Sequence, residues 1–337
     1  GGVNPASCFT CAHARQYRSV SGCRWMKDWG HVKERGIDVG KATTKRLEAM
    51  LEEVRSLNAA IYAKMREALT DELVEFSAAE AGYQRAALDG AIGVSLETKL
   101  PAPTRLVAIV TETPMEGRLL TSWFEGMESG RMDRIAQAVR LGMTQGEGTD
   151  AIVRRIKGTK AARYSDGVLD ISRRSAQSIV RTSVNHVSNV AAQATWKANA
   201  HVVKGWQYLA TLDSRTTITC AGLSGQVFSI GEGPIPPRHV NCRSISVPVT
   251  RSFRELGVDA DELPQGKRAS MDGEVAGDTA MAKWLTMKGA AMQNTVLGPT
   301  RAKLFREGKL DLAQFIKNDG TVLTLEQLRN RYGDLLI

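Results

Sequence analysis

The stretch "VNHVSNVAAQATWKANAHVVKGWQYLATLD", Val184 to Asp213, changes character at Val202. Before that point, apolar and small residues recur at three- and four-residue steps. Ile179, Val180, Val184, Val187, Ala191 and Ala194 fall on one side of a helix expected from about Ser172 to Asn199. After it, "VVKGWQYLATLD", "QVFSI" and "SISVPV" are short runs rich in β-branched and aromatic residues, bounded by Gly, Pro and Asp. Runs of that kind read as strands. A long helix feeding a few antiparallel strands is an α+β unit. For the whole chain the fold class is therefore α+β, mainly α-helical, with long helices plus a small antiparallel β unit and a Cys-rich segment in front.

Working outward, residues 1–40 are loop-rich, and 41–114 form a helical region and linker. Residues 115–250 form the α+β domain, and 251–337 a linker with a helical extension. From about Lys41 to Leu88, the residues Leu47, Leu51, Val54, Ile61, Met65, Ala68 and Leu69 mark one helix face, interrupted by Asn58 and Glu72. This region predicts a single helix or a helical hairpin. Pro101, Pro103 and Pro114 mark a break, within which "LVAIV", Leu106 to Val110, reads as a strand or a buried helix turn. Two helices follow, separated by "TQGEGTD", with Thr149 or Asp150 as the expected N-cap. Beyond a polar linker, "TAMAKWLTMKGAAMQNTVLG" predicts a helix, and Thr324 with Gln327 three residues on predicts a capping box opening the last one.

The net charge of +9 is unevenly placed. Residues 1–46 hold nine Lys/Arg against three acids and 150–205 hold ten against three, whereas 47–100 hold ten acids against five bases. The second basic block makes Arg154, Arg155, Lys157, Lys160, Arg163, Arg173 and Arg174 the candidate DNA-facing residues. A solvated helix face accounts for the same charges equally well. No run approaches the ~18 apolar residues of a membrane span, and "GGVNPASCF" has neither the basic flank nor the apolar core of a signal peptide. Five cysteines in such a chain argue against a disulfide framework.

The cysteines fall into two groups, each with a histidine nearby. Cys8-x2-Cys11-x11-Cys23 followed by His31 has the spacing of a Cys3His zinc site, with His13 competing for the last place. A short segment of little apolar mass needs such a staple to fold. In the central unit, His239-x2-Cys242 is a tight ligand pair, and Cys220, on a facing hairpin, supplies a third ligand. Asp213 is the nearest candidate for a fourth. The competing reading has Cys220 and Cys242 as buried small residues and His239 bonded to a turn. A nuclease of the ββα type, with His239 as general base beside a divalent metal, needs a helix behind the motif; the sequence runs instead into the strand "SISVPV". No loop has the Lys-Ser/Thr of a phosphate-binding P-loop.

Taken in order, Arg181-Thr182 on the small-residue helix, Gly205-Trp206, Asp213 to Thr216, Cys220, Leu223 to Phe228 and Pro236 to Arg243 form a combined pattern. It resembles the head-morphogenesis domain of tailed-phage minor head proteins, the phage Mu F-like family. The resemblance covers roughly 115–330, including the tail from Asp272 onward. Many members have Cys-x-x-Cys in the hairpin and end Cys-Arg-Cys, where this chain has Leu223 and Ser244. The resemblance implies a non-enzymatic virion component in few copies, bound to the portal vertex and made in the host cytoplasm. Its implied partners are the portal protein, the major capsid or scaffolding protein, and double-stranded DNA during packaging or ejection. No membrane is implied. The alternative is a metal-dependent nuclease acting through the His239/Cys242 segment.

Overall fold

A computed structural model describes residues 44–92, 97–259, 261–264 and 266–333. The chain forms two compact units. Of the described residues, one contains 44–75 and Val110–Val184; the other contains Phe76–Ile109 and residues 185–333.

The proline-free segment near the N-terminus is one unbroken helix, α1 (Thr44–Ile92), rather than a hairpin. Its Leu51 packs with Met132, Ile135, Ala136 and Val139 of α3 (Leu120–Thr144) in the core of the first unit. Asn58, which interrupts the apolar face of α1, is buried and donates to the Glu128 carbonyl at 3.3 Å. The polar residue is therefore a cross-helix tie. Helix α4 (Thr149–Lys157) follows, with Gly148 at the N-cap and no side-chain cap bond. The expected Thr149 or Asp150 cap is thus displaced by one residue: Asp150 lies inside the first turn, where its charge favours the helix dipole.

"LVAIV" settles as helix, in α2 (Pro103–Thr111). Pro103 stands at its first position, where a missing N–H costs nothing and the fixed φ suits a helix.

Helix α5 (Val168–Ala198) delivers the chain into β1 (Val203–Leu209). Strand β1 is the centre of an antiparallel sheet ordered β2-β1-β3, with β2 at Val227–Ser229 and β3 at Ile245–Thr250. Between β1 and β2 lies a short helix, α6 (Ile218–Leu223). The strands expected from "VVKGWQYLATLD", "QVFSI" and "SISVPV" are all present.

The two faces of α5 are not equally apolar. Trp196, Val202, Trp206 and Tyr208 are fully buried beside Ala192 in one core, yet Asn185, Asn189 and Asn199 are buried too. Asn199 lies just past the helix end, and each asparagine holds backbone that lies outside the strand ladder. Asn185 Nδ2 donates to the Ser244 carbonyl at 2.9 Å, and the Ser246 N–H donates to Asn189 Oδ1 at 2.7 Å. Asn199 exchanges two bonds with Lys99, giving to its carbonyl at 2.8 Å and receiving from its N–H at 2.7 Å. Buried backbone groups need such partners, so α5 works as the hydrogen-bonding neighbour of β3.

The linker after Arg251 contains a hairpin, β4 (Lys267–Ser270) and β5 (Gly273–Ala276). The following helical segment breaks at Gly289 into α7 (Met281–Thr286) and α8 (Ala290–Leu297), and α9 (Pro299–Arg306) comes next. A 3-10 turn (Leu312–Phe315) precedes α10 (Leu325–Tyr332), which opens with the expected Thr324/Gln327 capping box. Met281, Trp284, Leu285, Leu297, Leu312 and Phe315 pack in one core with Leu212 and Ala221. The extension and the sheet region are therefore fastened by shared apolar burial.

Candidate metal centre

Three elements converge on one point. Cys220 lies in α6, whose N-cap Thr217 accepts from the Cys220 N–H; it sits on a helical turn and not on the expected hairpin. His239 and Cys242 lie on the segment between β2 and β3, joined by a turn in which the Cys242 N–H donates to the His239 carbonyl at 3.1 Å. Asn241 takes a φ of 60° inside that turn, a conformation asparagine tolerates better than most residues. The two-residue spacing thus folds Cys242 back beside His239. Upstream, the Pro236-Pro237 bond is cis.

Cys220 Sγ stands 3.3 Å from His239 Nε2 and 3.7 Å from Cys242 Sγ. All three ligand atoms lie within 4.8 Å of one another. Two thiolates bound to one tetrahedral zinc at ~2.3 Å each stand about 3.8 Å apart, so the sulfur spacing fits an ion. The imidazole tautomer also fits. His239 Nδ1 lies 3.0 Å from the Val240 carbonyl, which can only accept, so Nδ1 carries the proton and Nε2 turns its lone pair toward the sulfurs.

Both cysteines are buried and free of any disulfide. The contact between the two sulfurs, with burial, holds the Cys220 thiol up, and the same contact draws the Cys242 thiol down despite burial. The buried Tyr208 hydroxyl donates to Cys220 Sγ at 3.2 Å, and the Ser244 side chain also hydrogen-bonds that sulfur. Burial first, then the adjacent sulfurs, keep the Tyr208 hydroxyl protonated.

Asp213 stands outside the trio. Its carboxylate accepts both Arg243 Nη groups, the Nη2 bond measuring 2.9 Å, together with the Arg215 N–H at 3.0 Å. Thr211 Oγ1 donates to the Arg243 carbonyl at 3.1 Å. The Asp-x-Arg-Thr turn is thus a clip on the residue next to Cys242 and positions the ligand without joining it. Tyr208 and Ser244, which sequence reasoning did not place at the site, touch the sulfur directly. The alternation of β1 and the proximity of Ser244 to Cys242 were the available signals. Cys8, Cys11, Cys23 and His31 lie outside the described residues.

The candidate DNA-facing residues separate into two sets. Arg155 is paired with Glu147, and Arg173 and Arg174 both pair with the nearly buried Asp170. Arg154, Lys160 and Arg163 are exposed and form no ion pair among the described residues. Lys157 lies 5.0 Å from the ring centroid of Tyr164.

After Cys242 the chain enters β3 directly, without the helix that a ββα nuclease places behind its metal. No curated protein and no solved structure matches the chain. Residues 133–247, about a third of it, match the family model described as "Phage Mu protein F like protein". That span holds α5, Asp213 and all three clustered ligands, so the part of the chain that builds the site is the part similar to phage Mu protein F.

Proposed function

We propose that the protein is a non-enzymatic structural component associated with a phage head, docking at the portal vertex and taking part in head morphogenesis and in DNA packaging or ejection. The observation that carries this reading is the coincidence of the family match with the clasp built by Cys220, His239 and Cys242. The family match supports head association, a virion location and partners among other head proteins. The portal, the major capsid or scaffolding protein and double-stranded DNA are the partners we assign within that setting.

Zinc is the ion the donor set suits, since two thiols and one imidazole are its preferred ligands. Bound there, it would supply a structural cross-link. This chain's residues do the rest: Val240 fixes the tautomer of His239, Asp213 holds Arg243, and α6 presents Cys220. Burial of both sulfurs favours a staple over an open reactive centre. Among the described residues no helix is long and apolar enough to cross a membrane.

Co-expression with the cognate portal tests the docking: the two should co-purify, and their failure to associate in portal-containing particles would overturn it. Elemental analysis should find zinc, and Cys242→Ser should lower the content by about one ion per chain. Plasmid cleavage with Mg²⁺ or Mn²⁺ that disappears in His239→Ala would replace this reading with a nuclease.

A further inference from the structure

Between α4 and α5 the chain makes a closed loop, residues 158–167. Its neck leaves no room for side chains: a Cβ on Gly167 would run into Lys157 and Gly158 backbone, and one on Gly158 would meet Gly167 N at 2.9 Å. Asp166 seals the neck by accepting the Thr159 N–H at 2.7 Å and the Thr159 hydroxyl at 2.8 Å. Further bonds run inside it, from Tyr164 N to the Thr159 carbonyl at 2.8 Å and from Arg163 N to the Lys160 carbonyl at 3.0 Å.

What this frame displays is specific. Lys160, Arg163 and Tyr164 are exposed at the tip, with Lys157 beside the Tyr164 ring. Arg163 and Tyr164 take φ of 50° and 64°, two bulky neighbours in the left-handed region. That conformation is costly for each, and a fold that keeps it twice in succession is holding those side chains in a set direction. The loop's own acid, Asp166, keeps its charge but is held at the neck by Thr159, and Lys160 and Arg163 with Lys157 outnumber it, so the tip is cationic.

We propose that this loop is the nucleic-acid contact of the protein: Lys157, Lys160 and Arg163 meet backbone phosphates, and Tyr164 lies against the adjoining sugar or base. A rigid tip combining a guanidinium, ammonium groups and an exposed ring is the combination that nucleic acid uses. An acidic protein surface would have no need of the ring. Arg155, Arg173 and Arg174 are left out, since each is already engaged with a carboxylate, Arg155 with Glu147 and the other two with Asp170. The inference rests on the DNA-binding part of the function proposed above and narrows it to one element.

The test is fluorescence anisotropy of a labelled 30-base-pair duplex with the full chain over a salt series. Lys160→Ala/Arg163→Ala/Tyr164→Ala should bind at least ~10-fold more weakly than the unaltered protein. Its log affinity against log salt should be shallower by ~1.8, the loss of two phosphate contacts. Arg173→Ala/Arg174→Ala should stay within about twofold, and matching circular dichroism melts would show that both variants fold. Equal losses in the two variants would mean undirected charge and overturn the loop assignment. A loop variant that binds like the unaltered chain would overturn it too, leaving DNA binding itself standing. Absence of duplex binding by the unaltered protein at low salt would remove both. Equally tight capture of polyglutamate would reassign the loop to an acidic protein partner.

Discussion

At the scale of single residues, the site is governed by what surrounds its ligands. Ser244 is buried two residues beyond Cys242, and its side chain interacts with the Cys220 sulfur. A thiol there would complete a four-ligand shell. Ser244→Cys is expected to hold zinc more tightly, resisting a chelator concentration that strips the unaltered chain; competition with a chromogenic chelator measures it. Asp213 gives a pH signature. Burial pushes its carboxyl up, but the bonds and charge of Arg243, with the Arg215 N–H, outweigh that and hold it below the ordinary value. A depressed folded value means that the pair's stabilisation is whole above the unfolded carboxyl's ~3.9 and drains as pH falls through the lower folded value. Asp213→Asn should therefore be less stable at pH 7, by about 1 kcal/mol for a partly exposed pair. The difference should vanish in strong acid, as denaturant melts from pH 7 to pH 2 would record.

Elements bring these residues together, and α5 does most of it. Removing a buried partner strands a backbone group at a cost of about 1–3 kcal/mol. Asn189→Ala, which leaves the Ser246 N–H without its acceptor, should lower stability by that amount in urea titration. An exposed substitution on the same helix, Lys197→Ala, should lie within about 0.5 kcal/mol of the unaltered chain. The strands and long helices were legible because their apolar periods are long and regular. What escaped notice was short or context-bound. Helix α6 spans only Ile218–Leu223, too few residues for a period to emerge. "LVAIV" reads alike as strand or helix until Pro103 is seen as a helix start. The buried asparagines escaped because nothing local distinguishes an Asn that faces solvent from one that meets a strand edge. At the site, His239 and Cys242 were visible from spacing and Cys220 from chemistry. Asp213 was drawn toward the metal by proximity in sequence, when its actual partner, Arg243, lies 30 positions away.

At the scale of the whole molecule, the site is embedded in a unit that the C-terminal segment helps to build. Leu212 and Ala221, which flank the turn leading to Cys220, share their core with Met281, Trp284, Leu285 and Phe315. Gly222, next to them, lies so close to the 3-10 turn that a Cβ would stand 2.8 Å from the Leu312 carbonyl oxygen. Arg238, one residue before the histidine ligand, donates to the Asp319 carbonyl at 2.9 Å. A chain ending at Arg251 should therefore fail to give a soluble folded domain although all three ligands remain, and size exclusion with thermal melting would reveal it. The shared core also orders events during synthesis. Cys220, His239 and Cys242 leave the ribosome well before Phe315 and Leu328 do, so the ligands exist for a time without the floor beneath α6. An ion captured by the nascent chain would hold those ligands together while translation delivers the residues that finally bury them.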